Sequence, residues 1–133
     1  MVDEPQAAGT LSVVSPFSVD ETLERLRSAI DAAGLTLFAE VDHSGGARAV
    51  GLEMDETRLL VFGNPRGGTP AMVAAPLLAL ELPLRALVRA DQDGRTWVSY
   101  QDPAELARRF DVPEALMAPL GGVGRLVAGA LGS

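Results

Sequence analysis

Cysteine is absent from the 133 residues, which excludes disulfides, thiolate nucleophiles, cysteine-based zinc sites and iron–sulfur ligation together. Lysine is absent as well. All eleven basic residues are arginine, so no amine is available to form a Schiff base with a carbonyl or with pyridoxal phosphate. The single histidine, His43, cannot build a multi-histidine metal centre within one chain, and neither a metal nor a cofactor is expected. No uninterrupted apolar run is long enough to cross a bilayer. Positive charge is in deficit. Eighteen acidic residues give a net charge of −7 and a pI near 4.6, a field that repels phosphate backbones and anionic lipid, so neither nucleic acid nor a membrane is an expected partner.

What remains is an apolar chain with a mean hydropathy of +0.18, long enough for one core and too short for two. Residues 1–9 begin acidic, with no basic or apolar signal region, and read as a disordered lead-in to a single domain over 10–133. The chain is expected in the cytoplasm.

Local signals organise that domain. Thr10–Val14 is β-branched and stops at Ser15-Pro16, which predicts an edge strand. Ser18 with Glu21 forms a capping box, and Val19, Leu23, Leu26 and Ile30 recur at helical spacing up to Gly34. Leu35–His43 alternates, placing His43 on the face of Leu35, Leu37, Ala39 and Val41. Ala49–Met54 and Arg58–Phe62 read as two strands around an Asp55-Glu56 turn. Thr69-Pro70 reads as the cap and first residue of a helix interrupted near Pro76. Asp93-Gly94 joins two strands in a hairpin, Asp102-Pro103 caps a helix ending at Phe110, and the glycine-rich stretch from Pro113 forms a kinked docking helix. The resulting α+β order is βαβββαββαα.

A two-residue Asp93-Gly94 loop would pair Ala90 with Trp97 and Val88 with Ser99. Leu84, Ala86, Val88, Ala90 and Trp97 then face the helices. Leu87, Val98 and Tyr100 line the opposite face beside Arg85 and Arg89, an apolar patch that suggests a homodimer interface. Surface hydrophobes covered by arginine stems are the plainer reading.

The densest candidate site is Phe62–Pro70, where a strand meets glycines, Arg66 and a helix start, since exposed amides at a helix N-terminus favour anions. The run departs from a phosphate-binding loop at Thr69 and Pro70, where lysine and serine or threonine belong. A sharp turn locked by Asn64 accounts for the same residues without any ligand. His43 is the default acid or base near neutral pH, or else a hydrogen-bonded structural residue at a strand end.

FGNPRGGTP at 62–70, LPLRALVRADQDGRTWVSYQDPAELARRF at 82–110 and the strand ending Val41-Asp42-His43 together resemble a bacterial and archaeal family of domains of unknown function, numbered 302. The resemblance covers about residues 10 to 130. It implies an antiparallel sheet with helices packed on one face, TATA-binding-protein-like or helix-grip-like and often dimeric, and implies no activity. Its typical positions match at His43, Gly63, Asn64, Pro65, Gly68, Thr69, Pro70, Trp97, Tyr100, Asp102 and Pro103. Where relatives commonly carry lysine near the glycines, this chain has Arg66. The expectation is a non-catalytic homodimeric module that binds a small anionic or polar ligand through His43, Asn64, Arg66, Gly68, Thr69 and Tyr100. Two alternatives stand beside it: an enzyme with His43 as a lone general acid or base, and an assembly protein acting through its sheet face.

Overall fold

The computed structural model describes residues 6–132, so Met1–Pro5 of the expected lead-in lie outside it. Five strands, β1 (Thr10–Ser15), β2 (Thr36–Asp42), β3 (Thr57–Gly63), β4 (Leu84–Ala90) and β5 (Thr96–Gln101), form one antiparallel sheet in the order β1-β5-β4-β3-β2. The helices are α1 (Val19–Ala32), α2 (His43–Ala49), α3 (Pro65–Ala74), α4 (Pro103–Phe110), α5 (Glu114–Met117) and α6 (Val123–Ala130), with short 3-10 turns at Pro76–Leu80 and Ala118–Leu120.

Helix α1 begins where the Ser18 hydroxyl accepts the Glu21 amide at 3.1 Å and ends before Gly34, whose φ of +73° suits a residue without Cβ. Its apolar stripe of Leu23, Leu26 and Ile30 is fully buried against Leu60, Phe62, Ala86, Val88 and Val98 of the sheet and Val123 and Val127 of α6. A second cluster, Ala71, Leu78, Leu106, Val112, Met117 and Leu120, gathers α3, α4 and α5, and Leu84 packs against both clusters.

Three local readings are corrected. Ala49–Met54 is not a strand: Asp42 accepts the Gly45 amide and the Ser44 hydroxyl, both at 2.8 Å, and starts α2, which ends at Ala49. The rest of the expected run is the turn and loop that leave the helix, with the Val50, Gly51 and Leu52 amides bonded back to the carbonyls of Ala47 and Arg48. The sheet consequently has one strand fewer than expected, and α2, together with the division of the C-terminal stretch into α5 and α6, makes six helices among the described residues where four were expected. Helix α3 starts at Asn64-Pro65 rather than Thr69-Pro70, because asparagine caps better than threonine and stands directly at the end of β3. Pro70 falls inside the helix, leaving the Arg66 carbonyl without its usual donor.

The third correction reassigns the sheet faces. Asp91 pairs with Arg95 through its amide, and its carboxylate accepts the Asp93 and Arg95 amides at 2.9 Å, closing a three-residue loop over Gln92–Gly94 with Gly94 at φ +82°. The register therefore slips by one: Val88 opposes Val98, Arg89 opposes Trp97 and Ala86 opposes Tyr100. Since direct partners share a face, Val98 and Tyr100 lie under the helices, and Trp97 lies on the open face with Leu87. Val98 is fully buried and the Tyr100 hydroxyl abuts Gly124 of α6, so neither contributes to an open-face interface. Trp97 stays buried on that open face, its indole N–H donating to Asp91 at 2.9 Å.

Candidate functional site

The residues expected to form one site are not brought together. A bulge in β2 between Leu37 and Ala39 breaks the alternation, and Asp42 turns the chain into α2, so His43 is exposed in a helical first turn rather than on a core-facing strand position. Asp42 opposes Arg58, whereas the other end of β2, Thr36, opposes Gly63, next to Asn64. Five residues of strand lie between those two ends, a span of roughly 20 Å at about 3.3 Å per residue.

The neighbour of His43 points inward instead. Ser44 is fully buried, donates to Asp42 and accepts the Thr57 amide at 3.1 Å. Around it the Arg58 guanidinium lies 3.1 Å from Asp42, 3.3 Å from Glu40 and 3.4 Å from Glu56, and Glu40 is also held by Arg27 of α1. The Gly45 amide first, then the Ser44 hydroxyl and the nearby arginines, hold the Asp42 carboxyl below the usual aspartate range. These groups tie α1, β2, α2 and β3 together through ion pairs, although the buried Arg58 Nε makes no hydrogen bond of its own. Among the described residues no group of histidine, aspartate and glutamate side chains is arranged to hold a metal ion.

The glycine segment loses its anion-binding geometry. The Arg66 amide is taken by the Asn64 side-chain oxygen, and the Gly67 and Gly68 amides by the Asn64 carbonyl, each at 3.0 Å. No nest of free donors remains at that helix start. The glycines serve packing: a Cβ on Gly67 would stand 3.2 Å from Pro119, and Gly68 is buried against Leu82 and Met72. Arg66 and Thr69 are exposed.

Asn64 instead stands between two cavities. The larger, about 620 Å³, is a cleft between α1, the end of β3 and the chain from Pro119 to Gly129. Ala29, Ala32 and Ala33 form one wall, Gly122, Leu126 and Gly129 the other, and Phe62 and Gly63 lie between them. Its polar side chains are Asn64, whose amide nitrogen has no partner among the described residues, and Arg125, an exposed guanidinium without an ion-pair partner among them. A smaller cavity of about 180 Å³ lies beyond Gly63 and Asn64, lined also by Phe38, Gly68, Thr69 and Met72. Of the expected ligand residues, Asn64, Gly68 and Thr69 thus border cavities, and His43, Arg66 and Tyr100 border neither of these two. The glycine-rich stretch from Pro113 reads in the sequence only as a kinked docking helix, and the alanines of the facing wall read as ordinary helix residues. Their one signal is the i, i+3, i+4 recurrence of alanine on α1, where large apolar residues usually stand.

The family model for the domain of unknown function DUF302 matches residues 11–124, most of this chain. The chain belongs to the DUF302 family. A crystal structure of an uncharacterized conserved DUF302 protein from Bacillus stearothermophilus has the same fold, with a TM-score of 0.78 over 94% of this chain and 97% of that one at 20% identity. Two curated relatives, both called fluoride-specific ion channel FluC 1, come from Brucella suis biovar 1 and Brucella abortus biovar 1. Each is 40% identical over 105 residues, 79% of this chain. The match spans about two-fifths of their length, 41% and 39% respectively. No described helix of this DUF302 chain is long and apolar enough to cross a membrane.

Proposed function

We propose that this DUF302 domain is a binding module whose ligand has an apolar body and one anionic or polar end. The observation that carries the reading is the 620 Å³ cleft, a volume typical of small-molecule sites, with small side chains along both walls and Arg125 and Asn64 as its polar groups. The apolar part of the ligand would lie between the alanines of α1 and Gly129, and its charged end would meet the Arg125 guanidinium. Catalysis is not part of this reading: His43 sits at the opposite end of β2 and no acid–base pair borders the cleft.

Calorimetric titration with octanoate tests it, with octyltrimethylammonium as the control of opposite charge. Binding of the carboxylate alone, abolished by Gly129→Phe and weakened by Arg125→Ala, is the expected result. A Cβ at Gly129 meets no atom within 4 Å, so a larger side chain can leave the backbone there without a clash, and a retained cooperative unfolding transition checks that the variant is folded. Equal affinity for both probes, or octanoate binding that survives Gly129→Phe, would contradict the reading.

A second reading rests on the relatives: the domain serves as an accessory unit of a membrane protein, attached to a longer chain that supplies the pore. Deleting the matching stretch from the Brucella suis relative should then leave fluoride conduction intact and change its regulation. Loss of conduction itself would count against an accessory role.

A further inference from the structure

The cleft between α1 and α6 has two ends, and they differ in chemistry. Past Gly129 it runs into an open groove bordered by Glu21, Glu24, Arg25 and Ser28, with Ala29 and Ala32 common to both. Arg25 is ion-paired there to Glu21 at 3.4 Å, and covering such charged groups with an alkyl chain is unfavourable. Past Gly63 the surroundings are apolar. The cleft and the small cavity share Gly63, Asn64, Leu84 and Leu120 as lining, and Phe38, Met72 and Leu82 complete the walls of the small one. Glycine at 63 keeps this side open, since a Cβ there would stand 3.6 Å from Pro83 and 3.9 Å from Phe38. Asn64, its amide nitrogen free of a partner among the described residues, borders both cavities, and the exposed Arg125 borders the cleft.

We propose, on the footing that the cleft binds a ligand, that this ligand is a branched amphiphile. It has a carboxylate at the fork, a longer alkyl arm along the cleft, and a shorter arm that passes Gly63 and Asn64 into the small cavity. That cavity, about 180 Å³, takes an arm of about four to six carbons, each about the size of a water molecule at roughly 30 Å³. Its walls suit such an arm, because Asn64 and Thr69 are the only polar side chains among its lining residues. At the fork, the free Asn64 amide N–H and the Arg125 guanidinium both donate to the carboxylate, which holds the branch point where both arms can leave. An unbranched chain of the same carbon count has no equivalent place. With its carboxylate at Arg125 and its first carbons between the alanines of α1 and Gly129, the added carbons leave the apolar walls and enter the charged groove.

Two isomeric probes separate shape from hydrophobicity. Dodecanoate and 2-butyloctanoate have the same carbon count and the same charge, and the second is octanoate with a short arm added at the fork. Calorimetric titration of the full chain should give 2-butyloctanoate a dissociation constant about tenfold or more below that of dodecanoate, with dodecanoate close to octanoate. Met72→Trp, which fills the small cavity from its wall, should remove the advantage of the branched isomer and leave octanoate affinity unchanged, which also shows that the variant is folded. Dodecanoate binding as tightly as its isomer, or an advantage of the branched isomer that survives Met72→Trp, would overturn the branched ligand and leave the cleft standing as a site for octanoate. Absence of binding by all three probes would overturn both.

Discussion

Replacing Val98 by alanine is expected to cost more than replacing Leu87 by alanine, although leucine loses more carbon. Val98 is fully buried under α1 and α6, opposite Val88. Deleting its two methyl groups forfeits about 0.8 kcal/mol of transfer free energy each and leaves a void worth about 1 kcal/mol more, a total of about 2.5 kcal/mol. Leu87 lies half-buried on the open face between Leu59 and Ser99, with no helix above it, and its truncation should cost about 1 kcal/mol. Against a total stability of about 5–15 kcal/mol both variants remain folded and measurable. Urea unfolding followed by Trp97 fluorescence should give midpoints that fall in that order with an unchanged slope, and melting temperatures about 10 °C and about 4 °C below the parent. Had the hairpin loop two residues rather than three, Val98 and Leu87 would share the open face. Leu87→Ala costing as much as Val98→Ala would therefore refute the assigned register.

Other perturbations test other parts of the account. The Gln101 amide, together with Arg85 and Arg109, holds the Glu81 carboxyl below its ordinary value of 4.5, and the Trp97 indole and turn amides do the same to Asp91, ordinarily at 3.8. Both are depressed on folding, so their contribution is complete above those ordinary values and is lost as pH falls through the lower folded ones. Melting temperature measured from neutral pH downward should drop below about pH 4.5, and Glu81→Gln should make that acid limb shallower; an unchanged limb would remove Glu81 from the explanation. Gly129→Ala should stabilise the protein by about 0.5–1 kcal/mol in urea unfolding, since the site is helical and a Cβ there meets nothing; destabilisation would mean that the backbone needs glycine. Asn64→Ala should cost about 1 kcal/mol by the same assay through loss of the α3 cap, and no loss would show that Thr69 or another residue starts the helix.

The parts of the fold that were legible in the sequence are those whose signals are local and redundant. The Ser18 cap, the stripe of α1 and Gly34 agree with one another, as do Asp102, Pro103 and the amphipathic run to Phe110. Where two local readings competed, tertiary partners decided. Asp42 reached forward to Gly45 and made a helix of His43–Ala49, whose Ser44-Gly45-Gly46 carries no helical signal of its own, and Asn64 outcompeted Thr69 as a cap. The Asp93-Gly94 pair marked the hairpin correctly, but Asp91 accepting two turn amides and the indole lengthened the loop by one residue, which moved Val98, Tyr100 and Trp97 to opposite faces. The cleft was hidden for a different reason. It is made of what is missing from the side chains of Ala29, Ala32, Ala33 and Gly129, and an absence of bulk has no chemical signature until the elements that carry it are placed side by side.

The central claim is that the cleft between α1 and α6 takes a ligand. Two-dimensional amide NMR of the isotopically labelled chain during titration with octanoate tests it residue by residue. The account predicts saturable shifts at Ala33, the Asn64 side-chain amide, Arg125 and Gly129, with His43 and Ser44 unmoved. Shifts centred on His43 and Ser44, or none at all up to millimolar octanoate, would contradict it.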